Sequence, residues 1–252
     1  MSFRLNLLIN TEFTAAAAQL NTAIPQATIY LVGGAVRDML LRRPTKDYDL
    51  VVGGIAADEL EKILGEVGSV NLVGKHFGVF KWMPEGWEGE AIDVALPRTE
   101  HVALGTGQYR DFTVQADVNL PIEEDLKRRD FTVNALALNL VTSELVDPTG
   151  GEADLGNKIL RAVGKPQERF AEDLSRVLRG LRFACQLGFT LEQVTWVAMT
   201  EAAERTAIGT HEHEFLVPRE IVAREFLKAL IANPNQAITF YEQARLLHHL
   251  LP

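Results

Sequence analysis

Short runs of alternating apolar and polar residues dominate the first part of the chain, and longer runs of helical period dominate the second. The alternating runs predict strands at Thr28–Val32, around Asp47 and Asp49, and at Val70–Val73, Val79–Met83 and Ala91–Leu96. Helical spacing predicts helices at Phe13–Ala23, Ala35–Arg43, Ala56–Val67, Phe170–Leu187, Leu191–Thr206, Pro218–Ala232 and Gln236–Leu247. We therefore predict a strand-and-helix domain over residues 1–156 and an all-helical domain over residues 157–252.

Composition places the chain among ordinary globular proteins. Its 252 residues are 47% apolar and 23% charged, and no run approaches the length of a membrane span. The single Cys185 fits a reducing, cytoplasmic location. A net charge of −9 argues against broad affinity for nucleic acid. One stretch is locally basic, and it contains Arg161, Lys165, Arg169, Arg176, Arg179 and Arg182.

The stretch from Ile29 to Val52 carries the clearest candidate chemistry. Gly33 and Gly34 follow a strand and open a helix, a position where backbone N–H groups can approach a phosphate. Arg37 can add a fork of donors one turn later. On an extended strand Asp47 and Asp49 point the same way, as paired carboxylates do when they bind Mg²⁺. This combination indicates phosphoryl or nucleotidyl transfer.

Each part also has a simpler interpretation. A Gly-Gly turn is common, and an Asp-x-Asp pair is often a solvated strand edge. There is no Walker lysine followed by serine or threonine, so this is not a P-loop. Asp93 is a candidate third carboxylate for the same metals, and an edge-strand aspartate facing water is an equal alternative.

Later segments add charge and candidate loops. The region between Arg98 and Pro121, with Gly105 and Gly107, is typical of a loop that covers a site. Arginines at positions 176, 179 and 182 repeat at helical spacing with only Asp173 to balance them, which favours an anionic ligand. His211 and His213 are interpreted as a solvated loop, because no third ligand stands at a diagnostic spacing.

Five motifs in one order carry a resemblance to a known family. They are LVGGAVRDMLL, KDYDLVV, EEDLKRRDFTVNALA, DPTGG and RFAEDLSRVLRGLRFACQLGF. This series resembles the CCA-adding tRNA nucleotidyltransferase and bacterial poly(A) polymerase family. The resemblance implies an α+β fold, with a nucleotidyltransferase head domain of a small mixed or antiparallel sheet and helices, followed by an all-helical neck.

The resemblance also implies roles for individual residues. Asp47 and Asp49 match the family's metal-binding, catalytic aspartates, and Asp93 falls on the strand that carries the third acidic residue. Asp173 and Arg176 match the pair that reads the base. Together with Gly33 of the glycine turn and Asn134 one turn beyond Asp130, the other matches make up the rest of the predicted nucleotide-binding set: Gly33, Gly34, Arg37, Arg129, Asp130, Asn134, Arg179 and Arg182.

From this we expect an enzyme that adds C or A, or both, from CTP and ATP to the 3′ end of tRNA by a two-metal Mg²⁺ mechanism. An Asp acceptor and an Arg donor would suit cytosine and adenine and leave groups unpaired against uracil or guanine. A poly(A) polymerase and a non-catalytic nucleotide- or RNA-binding protein are the alternatives. Family members usually continue into a body and tail, so the chain is expected to be either a piece of a longer protein or a compact enzyme. Its oligomeric state is not predicted.

Overall fold

The computed structural model describes residues 10–72, 78–102, 112–207 and 216–250. The chain forms two compact units. The first consists of Met1–Glu100, Val114–Arg129 and Val133–Glu152, and the second of His101–Thr113, Asp130–Thr132 and Ala153–Pro252. The domain boundary predicted after residue 156 stays a prediction, because a compact unit need not be a separately folding domain.

Strands and helices alternate through the first unit, and helices dominate the second. The strands are β1 Thr28–Val32, β2 Asp49–Gly53, β3 Gly68–Leu72, β4 Val79–Pro84, β5 Ile92–Ala95, β6 Arg98–Val102, β7 Phe112–Ala116, β8 Ala137–Asn139, β9 Leu145–Val146, β10 Ile159–Leu160 and β11 Thr190–Leu191. The helices are α1 Thr11–Ala23, α2 Gly34–Leu40, α3 Ala57–Glu66, α4 Ile122–Lys127, α5 Gly151–Asn157, α6 Pro166–Glu172, α7 Ser175–Leu187, α8 Gln193–Ala207, α9 Arg219–Ala232, α10 Pro234–Gln243 and α11 Leu247–Leu250.

A seven-stranded mixed sheet forms the framework of the first unit. Its strand order is β3-β4-β5-β2-β1-β8-β9. Strands β2 and β5 run parallel, and their neighbours pair antiparallel, which confirms the predicted mixed sheet. One register row across five strands is entirely apolar and buried, and it contains Phe80, Val94, Leu50, Leu31 and Leu138. This row holds the sheet's register, because slipping one strand by one residue would expose its apolar side chains.

Helix α1 forms where the period of apolar residues predicts it. The side chain of Asn10 accepts the backbone N–H of Glu12 at 2.8 Å and so caps the first turn. Residues Phe13, Ala16, Ala17 and Leu20, at helical spacing, are buried. The helix therefore packs one apolar stripe against the rest of the unit.

The long helix predicted from Phe170 to Leu187 is wrong at its beginning. Helix α6 ends at Glu172, and Asp173 has extended backbone angles, φ −150° and ψ 102°. The Asp173 carboxylate then accepts the backbone N–H of Ser175 at 2.8 Å. An aspartate that satisfies an N–H group at a helix start competes with helix continuation, which is why two helices replace one. Helix α7 ends at Gly188, as predicted, with φ 68°.

Two further differences concern the second unit. The helix predicted over Gln236–Leu247 is divided into α10 and α11, with Arg245 between them at φ 56°. Strands β10 and β11 form a short parallel pair, so the C-terminal part is helical apart from this pair. No helix among the described residues is long and apolar enough to cross a membrane.

The loop predicted from Arg98 to Pro121 contains two strands, β6 at Arg98–Val102 and β7 at Phe112–Ala116, which corrects the prediction there, whereas residues 117–121 carry no helix or strand. Strands β6 and β7 pair with each other in a two-stranded sheet. Gly105 and Gly107, on which the loop prediction rested, lie outside the described residues, as do His211 and His213.

Candidate active site

A row of charged residues crosses three neighbouring strands of the large sheet. In the register of the sheet, Asp49 on β2 is the partner of Asp93 on β5, and Asp93 is the partner of Lys81 on β4. Register partners point to the same face, so both carboxylates and the ammonium group share one side of the sheet. Lys81 Nζ lies 2.5 Å from Asp93 Oδ1. The predicted placement of Asp93 beside Asp49 is therefore what the sheet produces.

Asp47 lies just before strand β2 rather than on it, which corrects the predicted strand. Its orientation is nevertheless fixed by Tyr48, which is buried and stacks on Phe13 of α1 at a ring-centroid distance of 4.0 Å. Trp87 packs edge-on against the same tyrosine ring at 5.9 Å. Because Tyr48 is held on the inner side, Asp47 and Asp49 both lie on the solvent-accessible side.

Asp49 is solvent-accessible yet closely surrounded by protein atoms. Loss of hydration raises the pKa of its carboxyl group, the positive charge of Arg129 opposes this, and the negative charges of Asp93 and Asp47 add to the rise. The negative charges around Asp49 form an oxygen-rich site that a hard divalent cation would stabilise. The positions of Asp47 and Asp49 therefore fit the binding of divalent metal ions. Among the described residues, no three His, Cys, Asp or Glu side chains form a group that could hold a metal ion, so Asp93 does not complete such a group.

Arg129 lies against the glycine turn. Gly33 has φ 70°, a conformation that side-chain-bearing residues rarely adopt, and a Cβ atom there would lie 2.8 Å from Arg129 Nη1. The same position would be 3.9 Å from Asp49 Oδ2. On its other side Arg129 donates to Asp125, which is fully buried and also accepts from Arg128 at 2.6 Å. The turn, a guanidinium group and the acidic row are thus brought together within the first unit.

Arg37 is held by two neighbouring side chains. It donates through Nε and Nη2 to both carboxylate oxygens of Asp38, at 2.9 and 2.8 Å, and through Nη1 to Asn134 Oδ1 at 2.7 Å. Its guanidinium also covers Gly34 at van der Waals distance. Helix α2 has only seven residues, so guanidinium groups rather than a long helix dipole supply most of the positive charge beside this turn.

Asp130 and Arg179 form an ion pair in the second unit. Asp130 is 7% exposed, and its Oδ2 accepts from Arg179 Nε at 2.8 Å and Nη2 at 2.6 Å. The other carboxylate oxygen accepts the backbone N–H of Phe131 at 2.8 Å. The chain leaves the first unit between Arg129 and Asp130, so these two adjacent predicted residues belong to different units.

Asp173 lies between α6 and α7, and Arg176 lies in the first turn of α7. Asp173 therefore does not share a helical face with the arginines of α7, which corrects the helical spacing predicted for these residues. Arg176 is 7% exposed and donates to Glu172 Oε2 at 2.9 Å and to the backbone oxygen of Arg169 at 3.3 Å. Arg169 reaches the same Glu172 oxygen at 2.9 Å. Both predicted base-reading side chains are thereby tied to the break between α6 and α7.

Arg182 is fixed against α9. Its Nε donates to Glu225 Oε2 at 2.6 Å, its Nη1 donates to Gln186 at 2.9 Å, and its guanidinium lies 4.0 Å from the centroid of the Phe183 ring. Together with Glu172 and Asp130, Glu225 gives each of the three helix arginines a carboxylate. The premise that a single aspartate leaves them unbalanced is wrong, and the case for an anionic ligand no longer rests on their charge.

Sequence reasoning missed the carboxylates that hold the predicted arginines. Asp125 stands four residues before Arg129 and Glu172 four residues before Arg176, a spacing that brings side chains together on a helix. That spacing was available from the sequence. Glu225 is 43 residues from Arg182, and no local pattern connects the two.

The chain matches the family model described as "Poly A polymerase head domain" over residues 29–161. It is 42% identical over 228 residues to a "Multifunctional CCA protein" of Stenotrophomonas maltophilia, covering 89% of this chain and 51% of that protein. It is 40% identical over 201 residues to a "CCA-adding enzyme" of Streptococcus thermophilus, covering 79% of this chain and 44% of that enzyme. The chain thus spans about half the length of these relatives.

Solved structures of CCA-adding enzymes have the same fold. The Bacillus stearothermophilus enzyme in complex with CTP superposes with a TM-score of 0.76 at 28% identity, covering 94% of this chain and 53% of that one. The Thermotoga maritima enzyme, complexed with tRNA_CCA, superposes with a TM-score of 0.74 at 25% identity, covering 98% and 54%. With the family model matched over more than half of its residues, this chain belongs to the poly(A) polymerase head domain family.

Proposed function

We propose that the chain is a template-independent nucleotidyltransferase that adds C or A, or both, from CTP and ATP to the 3′ end of tRNA. The observation that carries the proposal is the placement of Asp47 and Asp49 on one side of the sheet, with Arg129 and Gly33 beside them. The names of the relatives at 40–42% identity support the choice of tRNA. The proposal includes a cytoplasmic location, which the single Cys185 favours.

In this proposal Asp47 and Asp49 are the metal ligands and catalytic residues. When bound, a pair of Mg²⁺ ions supplies positive charge that favours ionisation of the attacking RNA 3′-hydroxyl and stabilises the pyrophosphate leaving group. Asp93 acts beside them, through its position next to Asp49 in the sheet.

Arg129 and Arg37 are the proposed triphosphate donors of the first unit. Each is held in one orientation before substrate arrives, Arg129 by Asp125 and Arg37 by Asp38 and Asn134. Preorganised cations stabilise developing charge without reorganising during the reaction. The backbone N–H of Gly34 completes the contact with phosphate oxygens, whereas that of Gly33 already donates to the Leu136 carbonyl at 3.0 Å. Gly33 contributes by its lack of a side chain, which leaves room for Arg129 beside the turn.

The second unit supplies the proposed nucleotide choice. Asp173 offers an acceptor and Arg176 a donor, the combination that suits the amine and ring nitrogen shared by cytosine and adenine. Asp130, Arg179 and Arg182 are proposed to contact the ribose and triphosphate. Glu172, Asp130 and Glu225 hold these guanidinium groups in place.

The test uses three RNAs: tRNA lacking its terminal CCA, tRNA lacking only the last A, and an unrelated RNA. Each is incubated with the whole chain, Mg²⁺ and one labelled triphosphate at a time. We expect CTP to add no more than two residues to tRNA lacking CCA, or ATP to add one residue to tRNA lacking only the last A, or both, and neither to extend the unrelated RNA. The variant Asp49→Asn should reduce addition by at least about 10³-fold while the fold is retained, because a metal ligand is lost. Addition to no RNA would contradict the proposal.

A poly(A) polymerase is the second candidate, and the description of the matching family model favours it. The chemistry and the metal-binding residues would be the same. Open-ended addition of A to the unrelated RNA, without C addition to tRNA, would select this candidate.

A further inference from the structure

Lys81 stands at the end of the charged row and has no part in the proposed function. It is the register partner of Asp93, which is the register partner of Asp49, so all three share a face of the sheet. The ammonium group contacts Asp93 Oδ1 directly, at 2.5 Å. A lysine here is therefore the nearest positive charge that strand β4 offers to the acidic row.

The charges of the row show what Lys81 changes. Asp47, Asp49 and Asp93 carry three negative charges, and Lys81 reduces the sum to two, the charge that one divalent cation neutralises. Arg129 lies outside this row; because it shares the single negative charge of buried Asp125 with Arg128, it also adds positive charge near Asp49. Hydrogen bonding to Asp93, together with the charges of all three aspartates, raises the pKa of Lys81, so it stays protonated at neutral pH.

An ammonium group opposes metal binding in two ways. It has three donors and no lone pair, so it cannot become a ligand. Its charge also repels a divalent ion approaching the same face. The hydrogen bond from Lys81 also uses one lone pair of Asp93 Oδ1, which makes that oxygen a weaker ligand for a metal ion.

We propose that Lys81 is a positioning residue: a tethered cation that occupies Asp93 and weakens binding of a divalent ion to Asp47 and Asp49 while no nucleoside triphosphate is present. The inference rests on the proposed function, which places the ion at those two aspartates. The ion then binds tightly only when a triphosphate contributes its own oxygens and negative charge. Lys81 thus links occupation of the metal site to arrival of the substrate.

A purely structural role is a poor explanation for this ion pair. The side chains of Lys81 and Asp93 are 46% and 41% exposed, and exposed ion pairs contribute little to folding stability. Variants at Lys81 should therefore fold, which a thermal unfolding curve checks. The chain also provides a matched control, because Lys127 pairs with Glu124 at 2.7 Å with similar exposures of 53% and 51%.

The experiment is a titration of the whole chain with Mn²⁺, followed by electron paramagnetic resonance, without nucleotide. Lys81→Met should lower the Mn²⁺ dissociation constant by roughly three- to tenfold, because one repelling charge is removed at short range. Lys81→Arg keeps the charge and should match the parent chain. Lys127→Met should match it as well. With a non-reactive CTP analogue present, the difference between Lys81→Met and the parent should shrink.

Two results would overturn the inference about Lys81. One is a dissociation constant in Lys81→Met that equals that of the parent, and the other is Mn²⁺ binding by Lys81→Arg that is as tight as by Lys81→Met. The variant Asp49→Asn separates this failure from that of the proposed function. If Asp49→Asn weakens Mn²⁺ binding and Lys81→Met has no effect, only the inference about Lys81 fails. If Asp49→Asn binds Mn²⁺ as the parent does, the proposed metal site fails and the inference fails with it.

Discussion

Arg129 donates a hydrogen bond from Nη2 to Oδ2 of Asp125, four residues earlier in the chain, at 3.3 Å. Asp125 has no exposed surface, whereas Arg129 remains partly accessible and faces the glycine turn. A buried carboxylate therefore determines where a surface guanidinium points. Because both contacts lie within one unit, the direction of Arg129 is built into the first unit itself.

The variant Asp125→Asn should lose stability in a pH-dependent way. Burial alone would raise the pKa of Asp125, but the charges and hydrogen bonds of Arg128 and Arg129 outweigh it and hold the pKa below its usual range. The stabilisation is therefore complete above about pH 4, the unfolded value, and is lost as pH falls through the lower folded value. We expect Asp125→Asn to reduce the free energy of unfolding by about 3 kcal/mol at pH 7.

Urea unfolding at several pH values measures this effect. The difference between parent and variant should shrink as pH falls below about 4. Glu124→Gln is the control, because Glu124 is half exposed and its ion pair should contribute about 0.5 kcal/mol or less. An equal loss for Asp125→Asn at pH 3 and pH 7 would show that its charge is not the cause.

The variant Gly33→Ala should lose activity beyond its loss of stability. Its φ of 70° and ψ of −130° lie outside the left-handed helical region and disfavour alanine by about 1–3 kcal/mol, and the new Cβ would lie 2.8 Å from Arg129 Nη1 and displace that group. We expect kcat/KM for the triphosphate to fall by about 10²-fold or more, because misplacement of a positioning group has costs of this size. Steady-state kinetics and thermal unfolding are measured together.

Gly86 provides the control for backbone strain. It has φ 74°, and no described atom lies within 4 Å of its Cβ position. Gly86→Ala should therefore share the loss of stability and keep the kinetics of the parent. If both alanine variants lose activity alike, the contact with Arg129 is not the reason.

Two substitutions at Asp173 should separate helix capping from base choice. Asp173→Asn keeps an oxygen that can accept the Ser175 N–H, so stability should change little. Its new NH₂ group, however, places a hydrogen-bond donor where the carboxylate offered the base an acceptor. Asp173→Ala removes both and should cost about 1 kcal/mol of stability. Competition assays with the four triphosphates should show weakened preference for CTP and ATP in both variants. Unchanged preference in Asp173→Asn would contradict the proposed base-reading role.

The pair of Arg182 and Glu225 should show strong energetic coupling. Glu225 is nearly inaccessible and accepts from Arg182 at 2.6 Å. A double-mutant cycle with Arg182→Met and Glu225→Gln should give a coupling energy of about 1.5–3 kcal/mol, as for hydrogen bonds to buried charges. Arg224 contacts the same glutamate at 3.3 Å but is 54% exposed, so its cycle should give about 0.5 kcal/mol. Equal coupling in the two cycles would show that burial does not decide the strength.

Local patterns in the sequence predicted much of the first unit. Strand β1 has the predicted bounds because five consecutive strand-forming residues precede the glycine turn. The exposed-buried-exposed order of Asp47, Tyr48 and Asp49 follows from the two-residue period of extended chain. The family resemblance, carried by motifs, is confirmed by the match to the head domain model.

The features that the sequence did not predict depend on partners distant in the chain or on competition between local structures. The row of Lys81, Asp93 and Asp49 requires the strand order of the sheet, and strand pairing is not encoded in any one segment. The break at Asp173 arises because a capping hydrogen bond competes with a helical period that continues through it.

Helix α1 has no proposed chemistry of its own, but through the stacking of Phe13 on Tyr48 it supports the segment that carries Asp47 and Asp49. By stacking on Tyr48, Phe13 keeps that side chain buried. Because side chains alternate along the extended segment, Asp47 and Asp49 on either side of Tyr48 then point to solvent. Deleting that helix would then disturb the proposed metal site without changing either aspartate, so an engineered start point belongs upstream of residue 10.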